Sequence, residues 1–576
     1  MEFNSQLVGN GANIHCHIST LKPHFTYQDQ NIASVICGDV FLNEQVTTVQ
    51  EIAETFINQQ RQIERLYSQL SGQFWLILID KTNDELIVMS DHFGIQPCFY
   101  TLQNQVLHIS DSLKRLKNID GLKFTIAEQA LFNYMYFHCI PSPNTIFEQV
   151  AKLEPGKAVI FDGDMQAKEQ LLYQPKFAEN NLQTLEKNQQ ALFQTSLDTI
   201  DHAVAKHETE SCGAFLSGGL DSSSVAGMLA RHQTPAKTFS IGFNEKAYDE
   251  TAYALITSKH FDTQHEVLYL QPEQAAEEFV KVAQYFDEPF GNSSAMATYF
   301  CAKFAKSHGV DRLLAGDGGD ELFAGNERYA KQKRFEVYQQ VPTIMQQVAK
   351  GVFCKTPLGK LPLLSKGASY IQQAEVPLPD RLESYNFLNR LGIENIFEEE
   401  FLTTVNTLQP IQQQRQRYEE CSSKHSVDQM LYLDWKFTLA DNDLVKVGRM
   451  CDMAGIEVRY PLLDKLVVDF SCTLPADVKL PGNKLRHFYK ESCRGFLADE
   501  TLTKSKHGFG LPFGVWMKEN KVLQEIVLDN LLAFKKRKIV KDSLVDSVLD
   551  AHQSVHASYY GELIWIMVVL ELWLQQ

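Results

Sequence analysis

Seven residues constrain this chain more than any others: Ser217-Gly218-Gly219-Leu220-Asp221-Ser222-Ser223, directly after the apolar run Gly213-Ala214-Phe215-Leu216. The pattern predicts a short buried strand, a loop with two glycines and three hydroxyls, and then a helix through Ser224–Ala230. Such a loop leaves backbone N–H groups free at a helix N-terminus, where the macrodipole favours an anion. Gly218 and Gly219 let the backbone approach a phosphate closely, and the hydroxyls of Ser217, Ser222 and Ser223 add donors. Asp221 fits an anion cradle only when a cation lies between it and the phosphates, which points to a magnesium–nucleotide complex. No Gly-Lys-Ser/Thr follows at the required spacing, so the loop is not a Walker A motif.

The remainder of the chain must carry a soluble fold large enough for two or more domains, given 576 residues of which 44% are hydrophobic and 22% charged. A net charge of −17 argues against nucleic acid or an anionic membrane as partner. No apolar run of transmembrane length is read, and Met1-Glu2-Phe3-Asn4-Ser5 lacks the features of a signal peptide. The eleven cysteines are scattered without CxxC pairs, which fits a reducing cytoplasm better than a disulfide framework or zinc.

Residues 1–165 read as short strands, such as Ile32–Cys37, Phe74–Ile79 and Glu85–Met89, with helical patterns at Val49–Leu70 and Ile126–Phe137. Residues 166–185 are polar and irregular, and are expected to form a linker. From 186 to 576 the pattern becomes strand–helix alternation, with strands expected at Ala214–Leu216, Lys237–Ile241, Glu266–Tyr269 and Arg312–Ala315. That alternation implies a parallel, doubly wound sheet; beyond about 325 the chain reads as helical.

The Ser217–Ser223 loop resembles the pyrophosphate loop of ATP pyrophosphatases, and most closely that of asparagine synthetases. Supporting segments follow in the family's order: Thr238-Phe239-Ser240-Ile241-Gly242-Phe243, Asp287-Glu288-Pro289-Phe290-Gly291, and Ala315-Gly316-Asp317-Gly318-Gly319-Asp320-Glu321. The resemblance implies an α/β chain. An α+β sandwich of the N-terminal-nucleophile hydrolase kind should precede a doubly wound ATP-pyrophosphatase domain with a helical C-terminal part. It places adenine against Leu216, Ile241 and Gly316, and one magnesium ion between Asp221 and Asp320. It sets Asp317 beside the reacting acyl group, where it either orients the substrate amine or takes its proton. Asp443, in Leu439-Ala440-Asp441-Asn442-Asp443, falls where β-lactam-forming relatives carry a helper carboxylate, and reads equally as a helix N-cap. Lys506, in Lys506-His507-Gly508-Phe509, matches a family lysine that steadies charge on the α-phosphate and the departing pyrophosphate. Glu457–Asp464 matches a landmark read either as an arginine–carboxylate network or as plain architecture. Gly448-Arg449 and Asn326 depart from the family pattern near the expected acceptor pocket.

The first part of the chain resembles the family's glutamine-hydrolysing domain through Gly38-Asp39-Val40-Phe41, Asp91-His92-Phe93-Gly94-Ile95-Gln96-Pro97 and Pro141-Ser142-Pro143-Asn144-Thr145-Ile146-Phe147. That family uses a cysteine at position two, where this sequence has Glu2, and Cys37 replaces the asparagine that serves as oxyanion donor. The expectation is a domain without glutaminase activity; Cys16 exposed by processing is the rival reading. The reaction implied is adenylation of a carboxylate by ATP, loss of pyrophosphate and attack by an amine. Three amines remain open: the substrate's own N-terminus, as in lasso-peptide macrolactam cyclases; an intramolecular amine, as in β-lactam synthetases; or free ammonia. The substrate is then a peptide or small carboxylate, with a precursor-peptide-binding or protease protein as the partner implied by the first of these, which is favoured. A non-catalytic scaffold is the remaining alternative. Lys506→Ala is expected to abolish pyrophosphate release with little loss of fold; unchanged turnover would refute the assigned role.

Overall fold

The computed structural model describes residues 3–8, 15–178, 188–339, 341–354, 362–504 and 510–576. Seventeen strands in three sheets are found among them. The first sheet joins β1 (Phe3–Val8), β2 (His15–Thr20), β9 (Val106–Ser110), β8 (Phe99–Gln103) and β10 (Ala151–Lys152) in that order. The second runs β12 (Ala167–Leu171), β11 (Lys157–Phe161), β7 (Glu85–Ser90), β6 (Leu70–Asp80), β4 (Ile32–Leu42) and β3 (His24–Gln28), with β5 (Gln45–Val46) beside β4.

The alternation of side chains along β4 and β6 explains how the layers stack. Val35, Cys37, Trp75 and Ile77 meet the first sheet's Cys16, Ile18, Leu107 and Ile109. Ile36, Phe74, Leu76 and Leu78 face the helices Val49–Asn58 and Ile63–Gln69. Both faces of the second sheet are therefore covered, which is why Phe74–Ile79 reads as an unbroken apolar run. The expected linker begins later than the sequence indicated. Residues 167–171 pair with β11 from Lys157↔Leu171 to Phe161↔Ala167, because backbone pairing on an edge strand needs no apolar side chains.

The third sheet is parallel throughout, ordered β15 (Gln264–Tyr269), β14 (Lys237–Gly242), β13 (Cys212–Phe215), β16 (Arg312–Leu314) and β17 (Glu457–Arg459). The chain winds outward from β13 to β15, then returns to β16 on the other side. That reversal leaves a crevice beyond the strand ends between β13 and β16. The doubly wound sheet is as expected. Its fifth strand lies in the Glu457–Asp464 landmark and, at three residues, is too short to announce itself by alternation. Arg459 there pairs with Asp39 of the first part of the chain and with Glu457, so the landmark is both a strand and a charged network.

One helix, Ala557–Leu574, is long and apolar enough by length and composition to cross a membrane, contrary to the expectation that no such run exists. It is a core element. Ile564, Val568 and Leu570 are fully buried, Trp565 packs on Phe279 with ring centroids 4.8 Å apart, and Gly561 lies against Gly514 of the Phe513–Glu519 helix. The hydroxyl of Tyr134 donates to the Ile566 carbonyl at 2.8 Å, tying this helix to the first part of the chain.

The seam between the two parts is polar and dense. Asp287 accepts from Ser112 Oγ at 2.6 Å and pairs with Arg449, whose guanidinium also donates to the Asp111 carbonyl at 2.7 Å. Glu288 accepts from the Ile146 amide at 2.9 Å and pairs with Lys152 at 2.9 Å. Asp287→Asn leaves the buried Arg449 only the more distant Asp452, at 3.8 Å, as a paired carboxylate, and is expected to cost about 3 kcal/mol, read as a lowered thermal midpoint of the full chain. An unchanged midpoint would remove this pair from the account of the seam.

Candidate functional site

A cavity of about 1000 Å³ opens at the β13–β16 crevice. Leu216 donates its amide to the Phe239 carbonyl at 2.9 Å, extending β13 by one residue before the loop turns. Gly218 has φ +70°, and a Cβ there would collide with the backbone of Tyr253 and Ala254, so only glycine serves. Ser222 Oγ accepts from the Ser217 amide at 3.2 Å and lies 3.0 Å from Ser217 Oγ, which folds the loop onto the first turn of the Leu220–His232 helix. No side chain caps that helix, and Gly219, Leu220, Asp221 and Ser222 line the cavity.

The second glycine turn lies directly against the first. A Cβ on Gly316 would come within 2.7 Å of the Ser222 amide nitrogen, and one on Gly319 would collide with the Asp221 carboxylate. Leu216, Ser217, Ile241, Gly316, Asp317 and Asp320 all reach the cavity wall. Ser223 does not: its hydroxyl is buried 2.8 Å from Thr257 Oγ1, holding the helix to its neighbour. Gly218 shapes the loop from behind the wall. Lys506 lies outside the described residues, as do Ser505 and His507–Phe509.

Asp443 is not an N-cap. The helix Ser426–Asp434 continues through a π-helical stretch, Trp435–Asp443, into Leu444–Ala454, and Asp443 keeps right-handed helical backbone with no capping bond. Its side chain enters the cavity and accepts from Lys446 Nζ at 2.9 Å. Burial alone would lower the Lys446 ammonium, but Asp443 and Asp317 beside it outweigh burial and hold it above its ordinary value. Burial pushes the Asp317 carboxyl up to about 6, with Lys446 pulling the other way and Asp443 adding to the rise. Two carboxylates and one ammonium thus share one wall of the cavity.

Three cationic residues went unnoticed in the sequence. Lys446 had a signal in its spacing, three residues after Asp443 on a helix. Lys504 donates to the Ser217 carbonyl at 3.3 Å and pairs with Glu250 at 3.3 Å. Arg486 pairs with Asp221 at 3.2 Å and with Asp320, drawing the two turns together. Gly448 and Arg449, expected by the acceptor pocket, line a separate cavity of about 70 Å³ in the seam. The Asn326 side chain caps the Arg328 amide at 3.1 Å.

The pair Asp221 and Asp320 fits a magnesium–nucleotide complex. Both are hard oxygen donors, they face one another across a glycine-walled gap, and no third acidic, histidine or cysteine ligand joins them among the described residues. Magnesium is ordinarily held by one or two carboxylates together with substrate phosphates. In the first part of the chain, burial pushes the Cys16 thiol up to about 12 and the Cys37 thiol upward as well, so neither is an available thiolate.

The profile of the family described as Asparagine synthase matches residues 196–575, and that described as Glutamine amidotransferase domain matches residues 52–172. Asparagine synthetase [glutamine-hydrolyzing] 1 of Bacillus subtilis is 27% identical over 519 residues, covering 88% of this chain and 78% of that protein. Asparagine synthetase [glutamine-hydrolyzing] 3 of the same organism is 21% identical, covering 87% and 77%. Amidase chry2 of Gibberella zeae is 22% identical, covering 78% and 71%.

The raised carboxyl of Asp317 sets a stability prediction. Its folded value of about 6 exceeds the ordinary 3.8, so the ionised form opposes folding, and stability is lost as pH rises through that interval. Asp317→Asn should therefore raise the thermal midpoint at pH 8, with the advantage shrinking towards pH 4. Equal midpoints at pH 8 would contradict the desolvated site described above.

Proposed function

The chain belongs to the asparagine synthase family of ATP-dependent carbon–nitrogen ligases, and from that premise we propose that it closes an amide between a carboxylate and an amine of one substrate, as in macrolactam formation. The observation that supports the ligase chemistry is the contact between the two glycine turns, which brings Asp221, Asp317 and Asp320 to one cavity that Asp443 and Lys446 also line.

The uncapped first turn after β13 receives phosphate oxygens, and Leu216 and Ile241 supply apolar walls for the base. Asp221 and Asp320 would hold magnesium, which shields the triphosphate charge when bound. A carboxylate oxygen of the substrate then bonds to the α-phosphorus as the bond to pyrophosphate breaks. Lys506 matches the lysine that would steady the departing charge. The amine attacks the activated acyl carbon, the carbon–oxygen bond to AMP breaks, and Asp317 takes the proton released from nitrogen. An Asp317 held near 6 is ionised at neutral pH yet basic enough for that step. Lys446, held by Asp443, keeps a positive charge beside it.

Two observations support an amine already within the substrate. The cavity of about 1000 Å³ stands at the upper end for small-molecule sites, room for a nucleotide and a large second substrate. The buried thiols of Cys16 and Cys37 offer no nucleophile to release ammonia from glutamine. Free ammonia is the second reading, favoured by the B. subtilis asparagine synthetase that matches 88% of this chain.

The test incubates the protein with magnesium–ATP and either aspartate plus ammonium or peptides carrying an internal carboxylate and a free N-terminus, with the carboxylate labelled by oxygen-18. Expected are AMP and pyrophosphate in equal amounts, label in AMP, and a peptide product lighter by one water. Asparagine formation would replace the cyclisation reading with the second, and ADP in place of AMP would overturn adenylation itself.

A further inference from the structure

Arg486 is in the place where the nucleotide reading needs a metal. Its guanidinium reaches both Asp221 and Asp320, and all three side chains are largely enclosed, at 11%, 18% and 17% exposure. The geometry around it leaves no slack. A Cβ on Gly325 would collide with both the Asp320 carboxylate and Arg486 Nε, and one on Gly319 would collide with Asp221. Arg486 itself has φ +53° and ψ +31°, a left-handed backbone that a non-glycine residue adopts at a cost, and its amide is anchored on the Ala324 carbonyl at 3.2 Å. Strained backbone, a bond to the acidic turn and two carboxylate partners all serve to hold one cation at one point.

Two carboxylates brought this close in a partly desolvated gap repel unless a positive charge lies between them. A guanidinium supplies that charge with several directed donors, as a fixed part of the chain. Resting on the nucleotide reading above, we propose that Arg486 is the resident counter-ion of the Asp221–Asp320 pair, excluding bare magnesium and ceding the carboxylates only to magnesium that arrives with a triphosphate. The exchange leaves no charge without a counter-ion. The carboxylates trade a guanidinium for a divalent cation, and the displaced guanidinium finds phosphate oxygens, which it binds as readily as carboxylate. The triphosphate, by offering Arg486 a new anionic partner, offsets what removing it from the carboxylates costs. Bare metal offers no such partner, so metal and nucleotide enter together.

The test needs no turnover. Full-length protein is titrated with magnesium chloride alone and its thermal midpoint followed for wild type, R486Q and R486K. R486Q should start below wild type and climb by several degrees with bare magnesium, at an apparent affinity at least tenfold tighter than wild type. R486K keeps a cation and should stay as indifferent as wild type, while D221N in the R486Q background should lose the response. The inference is overturned if R486Q ignores bare magnesium or if wild type takes it up equally well. Should R486Q not fold, wild type still decides, since bare magnesium must leave its midpoint unmoved while magnesium with ATP raises it. A wild type that ignores magnesium–ATP sinks the nucleotide reading; one that responds to it and to bare magnesium alike sinks only the role given to Arg486.

Discussion

The contact on which the rest of this structure depends is backbone against backbone. Gly316 stands so close to the Ser222 amide and the Asp221 carbonyl carbon that no side chain fits between them. Two strand ends of a doubly wound sheet are always neighbours at the point where the winding reverses, but they need not touch beyond the sheet. Here glycine removes the spacer, and the two turns merge into one surface. Every charged feature of the cavity follows. Asp221 and Asp320 both reach Arg486 because their turns touch, and Asp317 joins Asp443 and Lys446 on the wall of the same cavity.

That arrangement was legible in the sequence where chemistry is local. A strand, two glycines and a helix start are written in consecutive residues, and the loops of Ser217–Ser223 and Gly316–Glu321 needed only proximity to become a site. The strands of the parallel sheet were legible for the same reason, each being an apolar run ended by a turn. What stayed hidden depends on distant partners. Glu457–Arg459 is a strand only because Arg312–Leu314 offers it hydrogen bonds, and three residues show no alternation. Arg486 lies in Lys484-Leu485-Arg486, where nothing in the neighbouring sequence says that both of its partners are acidic. Ser223 misled for the opposite reason. Its place in the motif looked like its neighbours', yet helical rotation turns its hydroxyl away to Thr257. The Ala557–Leu574 helix escaped because Glu562 and Glu571 interrupt its apolar run; Glu571 is buried against Arg537 at 2.8 Å.

The first part of the chain, in which the Cys16 and Cys37 thiols are buried, has structural work in this protein. Its strands bury a core of their own, but its loops and the helix Glu128–Phe137 end in contacts with the second part. Ser112 reaches Asp287, the Ile146 amide reaches Glu288, Tyr134 holds the helix Ala557–Leu574 at the Ile566 carbonyl, and Asp39 meets Arg459. These are charged or hydrogen-bonded contacts between mostly buried groups, the kind that fixes orientation more than it adds net stability.

One further contact of this kind leads directly to the cavity. Ser142 donates both its amide and its hydroxyl to Asp441 Oδ2, each at 3.1 Å, and Lys152 stands 3.5 Å from the other oxygen. Asp441 belongs to the π-helical stretch that ends at Asp443, so two carboxylates two residues apart point to opposite sides, one into the seam and one into the cavity. The wider turn adds a residue to the repeat, and such insertions are frequent at functional sites. The segment Pro141–Phe147, which resembles part of a glutamine-hydrolysing domain, is thus a brace. It holds Asp441, and through one continuous helix it sets the position from which Asp443 and Lys446 meet Asp317.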